Sequence, residues 1–325
     1  MTRRPSGYDD SQRRRGRIVE REVLRTVKYV GPRVGSVPAT KEIVARRLQM
    51  DDGVGHPPEV DVQPHRDGPG AAEWLHPKPA NTVPQITDAA ILYLHGSGFS
   101  KGSPRSHRAL VARIVAESGI AAFVPDYRLA PEYRFPAALE DAVEAYRYLV
   151  RKVGAKAIIV VGDSAGGGLS FAMLLAARDL GLPMPAGIIT LSAWTDLAVT
   201  GRERLDVEDP LVTPAMLRSA AATYLDGADP DDPYASPLYG VLAGLPPMLL
   251  QVGGREILIE DSHRFFLAAV AAGITATFSV YDGESHVFQL KYPDDPQSGR
   301  AVAELVGFAR RQLGAGERAR ITSET

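Results

Sequence analysis

Ala157-Ile158-Ile159-Val160-Val161-Gly162-Asp163-Ser164-Ala165-Gly166-Gly167-Gly168-Leu169 is the stretch whose reading decides the fold. It opens with an apolar, β-branched run of the kind that fills a buried strand, and the run stops at Gly162. From Leu169 onward, Phe171, Ala172, Leu174 and Leu175 recur at helical spacing. The segment predicts a strand, a one-step turn and a helix. Gly162 and Gly166 stand two residues either side of Ser164, where a Cβ would meet neighbouring backbone or block so sharp a turn. Such a turn lifts the Ser164 hydroxyl off the sheet edge, and the helix after it points free N–H groups at charge developing nearby. A serine that merely caps a helix fits the same residues, so the reading depends on partners elsewhere in the chain.

Working outward, short apolar runs alternate with amphipathic ones. Strands are expected at Ala89 to Leu94, Ile120 to Val124, Ala157 to Val161, Gly187 to Leu191, Pro247 to Val252 and Thr275 to Tyr281. Helices are expected at Ser106 to Glu117, Pro136 to Val150, Ala165 to Leu180, Ile259 to Ala272 and Ser298 to Leu313. This alternation predicts an α/β fold, a mostly parallel central sheet with helices on both faces. Ahead of it, Val60 to Val62 and Ala71 to Leu75 flank Asp67-Gly68-Pro69-Gly70 and read as a hairpin that gives the sheet an antiparallel edge. One excursion breaks the rhythm, Asp196 to Gly244, read as a helical insertion over the carboxyl ends of the strands, where open α/β sheets bind ligands.

The ends of the chain read differently. Residues 1–17 are expected to be a basic, disordered arm, 18–55 two short cap helices around Gly31-Pro32, and 316–325 a flexible tail. The core is then divided as 56–195 and 245–315, with the cap insertion at 196–244 between. Across the 325 residues, 37 basic against 39 acidic side chains leave a formal charge of −2, which gives no reason to expect nucleic acid or an anionic membrane as partner. The basic start is followed by Ile18 to Leu24, interrupted by charge, so no membrane span is expected. With no cysteine, thiolate chemistry and disulfides are excluded, which fits a cytoplasmic protein.

A serine nucleophile needs a base and a group that orients the base. In this topology they follow in the order serine, acid, histidine, each at the carboxyl end of a later strand. Of seven histidines only His263 and His286 come after Ser164; His263 falls within a helical pattern, and His286 follows the last strand. For the acid, Glu256 comes directly after the strand ending at Val252 and its Gly253-Gly254 turn, with Asp261 and Glu260 in reserve. Strand Ala89 to Leu94 runs into His95-Gly96-Ser97-Gly98-Phe99, placed to offer the Ser97 and Gly98 N–H groups, alongside that of Ala165, to an oxyanion. Neither a metal nor a cofactor is called for.

These residues resemble the hormone-sensitive-lipase-like branch of the α/β-hydrolases, the GDSAGG-type bacterial carboxylesterases. The resemblance runs from about Ala71 to Leu313 and is carried by His95 to Gly98, Asp126-Tyr127-Arg128-Leu129-Ala130-Pro131-Glu132, Phe135 to Ala138, Gly162 to Gly167, Trp194 to Leu197, Ala235 to Leu238 and His286. It implies an α/β-hydrolase fold with a helical cap, and cleavage of short to medium acyl esters through an acyl-enzyme. Ser164, Glu256 and His286 would be catalytic, Ser97, Gly98 and Ala165 the oxyanion donors, with His95, Gly96 and Asp163 supporting them. Tyr127 and Arg128 would brace the oxyanion loop. Phe99, Trp194, Leu197, Met216 and Phe288 are candidate pocket walls. The chain departs from the branch's usual His-Gly-Gly-Gly at Ser97, and carries glutamate where many relatives carry aspartate. Deacetylation of an N- or O-acetylated natural product uses the same machinery, and a non-catalytic ligand receptor shares the fold but lacks the histidine. The apolar last strand, Thr275 to Tyr281, suggests a homodimer through its edge.

Overall fold

In a computed structural model, residues 49–51, 55–66, 70–79, 83–200, 209–291 and 294–323 are described. The expected basic arm, and the expected cap helices up to residue 48, lie outside the described residues. Eight strands form one sheet: β1 (Val60–His65), β2 (Ala72–Pro77), β3 (Ile86–Leu94), β4 (Ile120–Pro125), β5 (Ile158–Asp163), β6 (Gly187–Leu191), β7 (Met248–Gly253) and β8 (Ala276–Tyr281). Their order is β1-β2-β4-β3-β5-β6-β7-β8. The β1/β2 hairpin and the β2/β4 pair are antiparallel; every later pairing is parallel.

Side chains alternate across a strand, and this splits the apolar residues into two cores. Ala90, Leu92, Ile158, Val160, Met248 and Leu250 face one side; Ile91, Tyr93, Ile159, Val161 and Leu249 face the other. The first core is covered by helices α2 (Ala137–Val153), α3 (Ser164–Asp179) and α5 (Ile259–Ala271), the second by α1 (Arg108–Ser118) and α6 (Pro296–Ser323). A central strand such as β5 is buried at all six positions, which is why its sequence reads as an unbroken apolar run. Burying each of its Ile and Val side chains contributes about 1.5–3 kcal/mol before entropy is counted.

Most boundaries shift by one to three residues from expectation, and three differences have a structural cause or consequence. Strand β3 begins at Ile86, past the polar Thr87-Asp88 pair, because Ile86 pairs with Ile120 across a register shift. Strand β5 continues through Gly162 and Asp163, and α3 starts at Ser164 itself. Helix α6 runs on to Ser323, over the segment expected to be a tail. Inside the insertion, α4 (Pro214–Leu225) starts where the Thr213 side chain accepts the Met216 N–H and Pro214 occupies the first turn. It buries Leu217, Ala221, Tyr224 and Leu225 in the first core, with Tyr224 stacked on Phe99 at 3.9 Å between ring centroids. The carboxyl ends of β3, β5, β6, β7 and β8 are followed by His95, Ser164, Ser192, Glu256 and His286 on one rim of the sheet.

Candidate active site

The turn after β5 is held by close approach. A Cβ on Gly166 would collide with the carbonyl oxygens of Leu94 and His95, and one on Gly162 with the Gly166 carbonyl and the Ser170 hydroxyl. Neither glycine has a positive φ; the left-handed residue is Ser164, at φ 50°. A non-glycine residue held there stores about 1–3 kcal/mol of strain, a feature typical of functional turns. The Ser164 carbonyl accepts the N–H of Trp194, tying the turn to the segment after β6.

In the loop after β8, His286 Nε2 is 2.9 Å from Ser164 Oγ, across 122 positions of sequence. Its other nitrogen, Nδ1, is 3.5 Å from Glu256 Oε2, and the glutamate is fully buried. That separation is longer than a formed hydrogen bond, a spacing common in ligand-free sites that tighten when occupied. The acid and histidine loops are sewn together by backbone: Gly254 N–H donates to Tyr281 O and Arg255 N–H to Glu284 O, both at 2.8 Å. A Cβ on Gly253 would press on the carbonyls of Glu284 and Ser285. Asp209 Oδ2 accepts the Ile257 N–H, so the insertion touches the residue after Glu256. The reserve acids are elsewhere. Asp261 Oδ2 accepts the Thr195 and Asp196 N–H groups, Glu260 lies on the first turn of α5, and His263 stacks on Phe278.

One participant escaped the sequence reading. Ser192 Oγ donates to Glu256 Oε2 at 2.7 Å and accepts the Val287 N–H at 3.0 Å, linking the acid to the residue beside His286. All that the sequence offered was a polar residue directly after the carboxyl end of a buried strand, which has no pattern of its own.

The loop after β3 has left-handed backbone at Ser97, Gly98 and Phe99, with φ of 83°, 66° and 59°. It is pinned at Gly96, whose N–H donates to Asp163 Oδ1 at 3.0 Å, and at His95, whose carbonyl accepts the Tyr127 hydroxyl at 2.6 Å. Arg128 is turned away onto Asp141 and Glu140. Ala165 is the second residue of α3, where backbone N–H groups have no intrahelical partner. Among the candidate wall residues, Phe99, Trp194, Leu197 and Phe288 are buried, Phe288 against Tyr281, while Met216 is 55% exposed on α4. Burial to this depth makes those four part of the packed interior as much as of any pocket. Among the described residues there is no group of three or more His, Cys, Asp or Glu able to hold a metal ion, and no helix long and apolar enough to cross a membrane.

A doubly covered sheet with a serine, a histidine and a buried carboxylate on one rim defines an α/β-hydrolase. The chain belongs to that family: residues 91–290 match the family described as alpha/beta hydrolase fold. Its place is in the hormone-sensitive-lipase-like branch. It is 40% identical over 284 residues to a protein of Streptomyces hygroscopicus named acetyl-hydrolase, covering 85% of this chain and 92% of that one. An esterase of Acinetobacter venetianus is 36% identical over 67% of this chain and 74% of its own length. The crystal structure of an esterase from the bacterial hormone-sensitive lipase family superposes with a TM-score of 0.78 at 35% identity, covering 94% of this chain and all of that one.

Proposed function

We propose that the chain is a serine carboxylesterase with Ser164 as nucleophile, His286 as base and Glu256 as the group that orients the base. The observation that carries this is the 2.9 Å contact between His286 Nε2 and Ser164 Oγ. As Oγ attacks the ester carbonyl its proton passes to Nε2, and the carbonyl electrons move onto an oxyanion facing the Ser97, Gly98 and Ala165 N–H groups. Collapse expels the alcohol, which takes the proton from His286. Water, deprotonated by the same nitrogen, then releases the acid and restores Ser164. Glu256 accepts Nδ1–H and offsets the positive charge on the ring during both steps.

The test is hydrolysis of p-nitrophenyl acetate and butyrate by Ser164→Ala and His286→Ala. Each is expected to lose about 10⁴-fold or more of kcat, the scale on which a nucleophile and its base fail together. Turnover within tenfold of the parent in both variants overturns the reading.

The name of the Streptomyces relative, acetyl-hydrolase, supports acetyl as the acyl group removed here. Rates on matched acetyl esters and acetyl amides separate ester cleavage from deacetylation of an amine. A second copy of the chain pairing along β8, whose neighbourhood exposes Val280, Leu267 and Val270, is the assembly we propose. Light scattering that finds only monomer at micromolar concentration contradicts it.

A further inference from the structure

Behind the loop that carries Ser97 and Gly98 lies a buried charge that the proton transfers above do not use. His107, just ahead of α1, has Nε2 3.3 Å from Asp163 Oδ2, with side chains 3% and 2% exposed. The other carboxylate oxygen, Oδ1, accepts the Gly96 N–H at 3.0 Å and the Tyr93 hydroxyl at 2.9 Å. A single carboxylate therefore joins His107 to the residue that precedes Ser97. A Cβ on Gly96 would collide with Asp163, so the two are in the closest approach the backbone allows.

The hydrogen bonds around the ring leave room for a proton on each nitrogen. Ser106 Oγ accepts the Ser103 N–H at 2.9 Å and donates its only proton to the Ser103 carbonyl at 3.0 Å. It also lies 2.9 Å from His107 Nδ1, an acceptor for that nitrogen when the ring carries both protons. Nε2 faces a carboxylate and donates as well. An imidazole that donates from both nitrogens is an imidazolium, and Asp163 on one side with Ser106 Oγ on the other suit that form. His95, stacked on His107 at 5.4 Å, is the reverse: Nδ1 donates to the Gly96 carbonyl and Nε2 has no partner among the described residues. Burial, and then the charge on His107, push His95 down to about 3. Burial also works against charge on His107, but Asp163 outweighs it and raises that ring above its ordinary value. The charged and titratable groups around the ring are Asp163 from β5, Tyr93 from β3, His95 from the loop after β3, and Asp51 through Ser103 Oγ.

We propose that His107 is a positioning residue for ester hydrolysis: its charged ring clamps Asp163, which through the Gly96 N–H sets the Ser97 and Gly98 backbone around the oxyanion. The proposal rests on the esterase reading above. Oxyanion contacts strengthen in the transition state, so losing the clamp lowers kcat and leaves KM in place.

The experiment is the pH profile of kcat and KM on p-nitrophenyl butyrate, from neutral into alkaline solution, for the parent and His107→Gln. The parent is expected to lose kcat on the alkaline side as the ring is deprotonated, with KM flat. His107→Gln is expected to start about ten- to a hundredfold lower in kcat, since a displaced oxyanion donor costs on that scale, and to lack the alkaline fall. Parent-like kcat in the variant, or an alkaline fall that persists in it, overturns the proposal. Should His107→Gln not fold, Ser106→Ala removes the acceptor at Nδ1 and is expected to move the fall to lower pH; an unmoved fall overturns the proposal. A readout independent of turnover is nitrogen NMR of histidine-labelled Ser164→Ala protein at neutral pH, where one buried imidazolium is expected. All histidines neutral there overturns the proposal even if the parent is a good esterase. Absence of ester turnover in the parent strikes the esterase reading instead, and the NMR result still decides the charge on His107.

Discussion

Ser192 Oγ donates a 2.7 Å hydrogen bond to Glu256 Oε2, and the same hydroxyl accepts the Val287 N–H at 3.0 Å. The acid and the segment beside His286 thereby share one anchor at the end of β6. A hydrogen bond to a charged group contributes about 1.5–3 kcal/mol, and each 1.36 kcal/mol is a factor of about ten in rate. Ser192→Ala is therefore expected to lower kcat on p-nitrophenyl butyrate about ten- to a hundredfold with KM unchanged. Steady-state kinetics check it, and parent-like kcat would mean that Glu256 needs no such support.

Ser97 is expected to be a position where the chain gives up stability. Its φ of 83° costs an L-residue about 1–2 kcal/mol, of which glycine returns about 0.5–1 kcal/mol through the freedom of its unfolded chain. Ser97→Gly should raise Tm by about one or two degrees, as roughly half a kcal/mol does in a chain of this size. A lower Tm in calorimetry contradicts the strain.

Gly166 has the opposite character. An added methyl would meet the carbonyl oxygens of Leu94 and His95, which belong to a central strand and its following loop and have nowhere to move. Gly166→Ala is expected to cost about 4 kcal/mol or more, in the range where a single substitution is diagnostic. Gly314→Ala, on α6 with nothing near its added methyl, is expected to gain about 0.5–1 kcal/mol. Urea unfolding of the two variants compares them, and equal midpoints would remove the argument.

The His107–Asp163 pair gives stability a definite pH window. Burial alone would raise Asp163, but His107 beside it brings it below its ordinary 3.8, so its share is lost as pH falls through the lower folded value. His107 is raised above 6.5 by Asp163 against the pull of burial, so its share is complete below 6.5 and is lost as pH rises through the higher folded value. The urea midpoint of the parent is expected to decline on the alkaline side more steeply than that of His107→Gln. Parallel declines contradict the raised value.

The fold was legible because β5 and its neighbours are buried on both sides and write themselves as apolar runs, and because Gly162 and Gly166 mark a turn that only close approach requires. That Ser164, Glu256 and His286 come together was legible by rank: each follows a different strand, in chain order. Ser192 was not, since a lone serine after a strand has no pattern of its own and acquires a role only when Glu256 and Val287 arrive beside it. His107 was silent for the same reason. Its partner Asp163 lies 56 positions away at the end of β5, and only the packing of α1 against the sheet brings them together. Met216 shows the converse: it is a candidate pocket wall by sequence, yet α4 turns Leu217 and Ala221 to the core and leaves Met216 55% exposed.

The central claim, that the hydroxyl of Ser164 is the nucleophile, is tested most directly by intact-protein mass spectrometry after reaction with a p-nitrophenyl phosphonate ester. One phosphonyl group per chain, located on the peptide holding Ser164 and formed in step with loss of esterase activity, is the result expected. A fully labelled protein that still hydrolyses esters, or a label that settles on another residue while activity disappears, would contradict it.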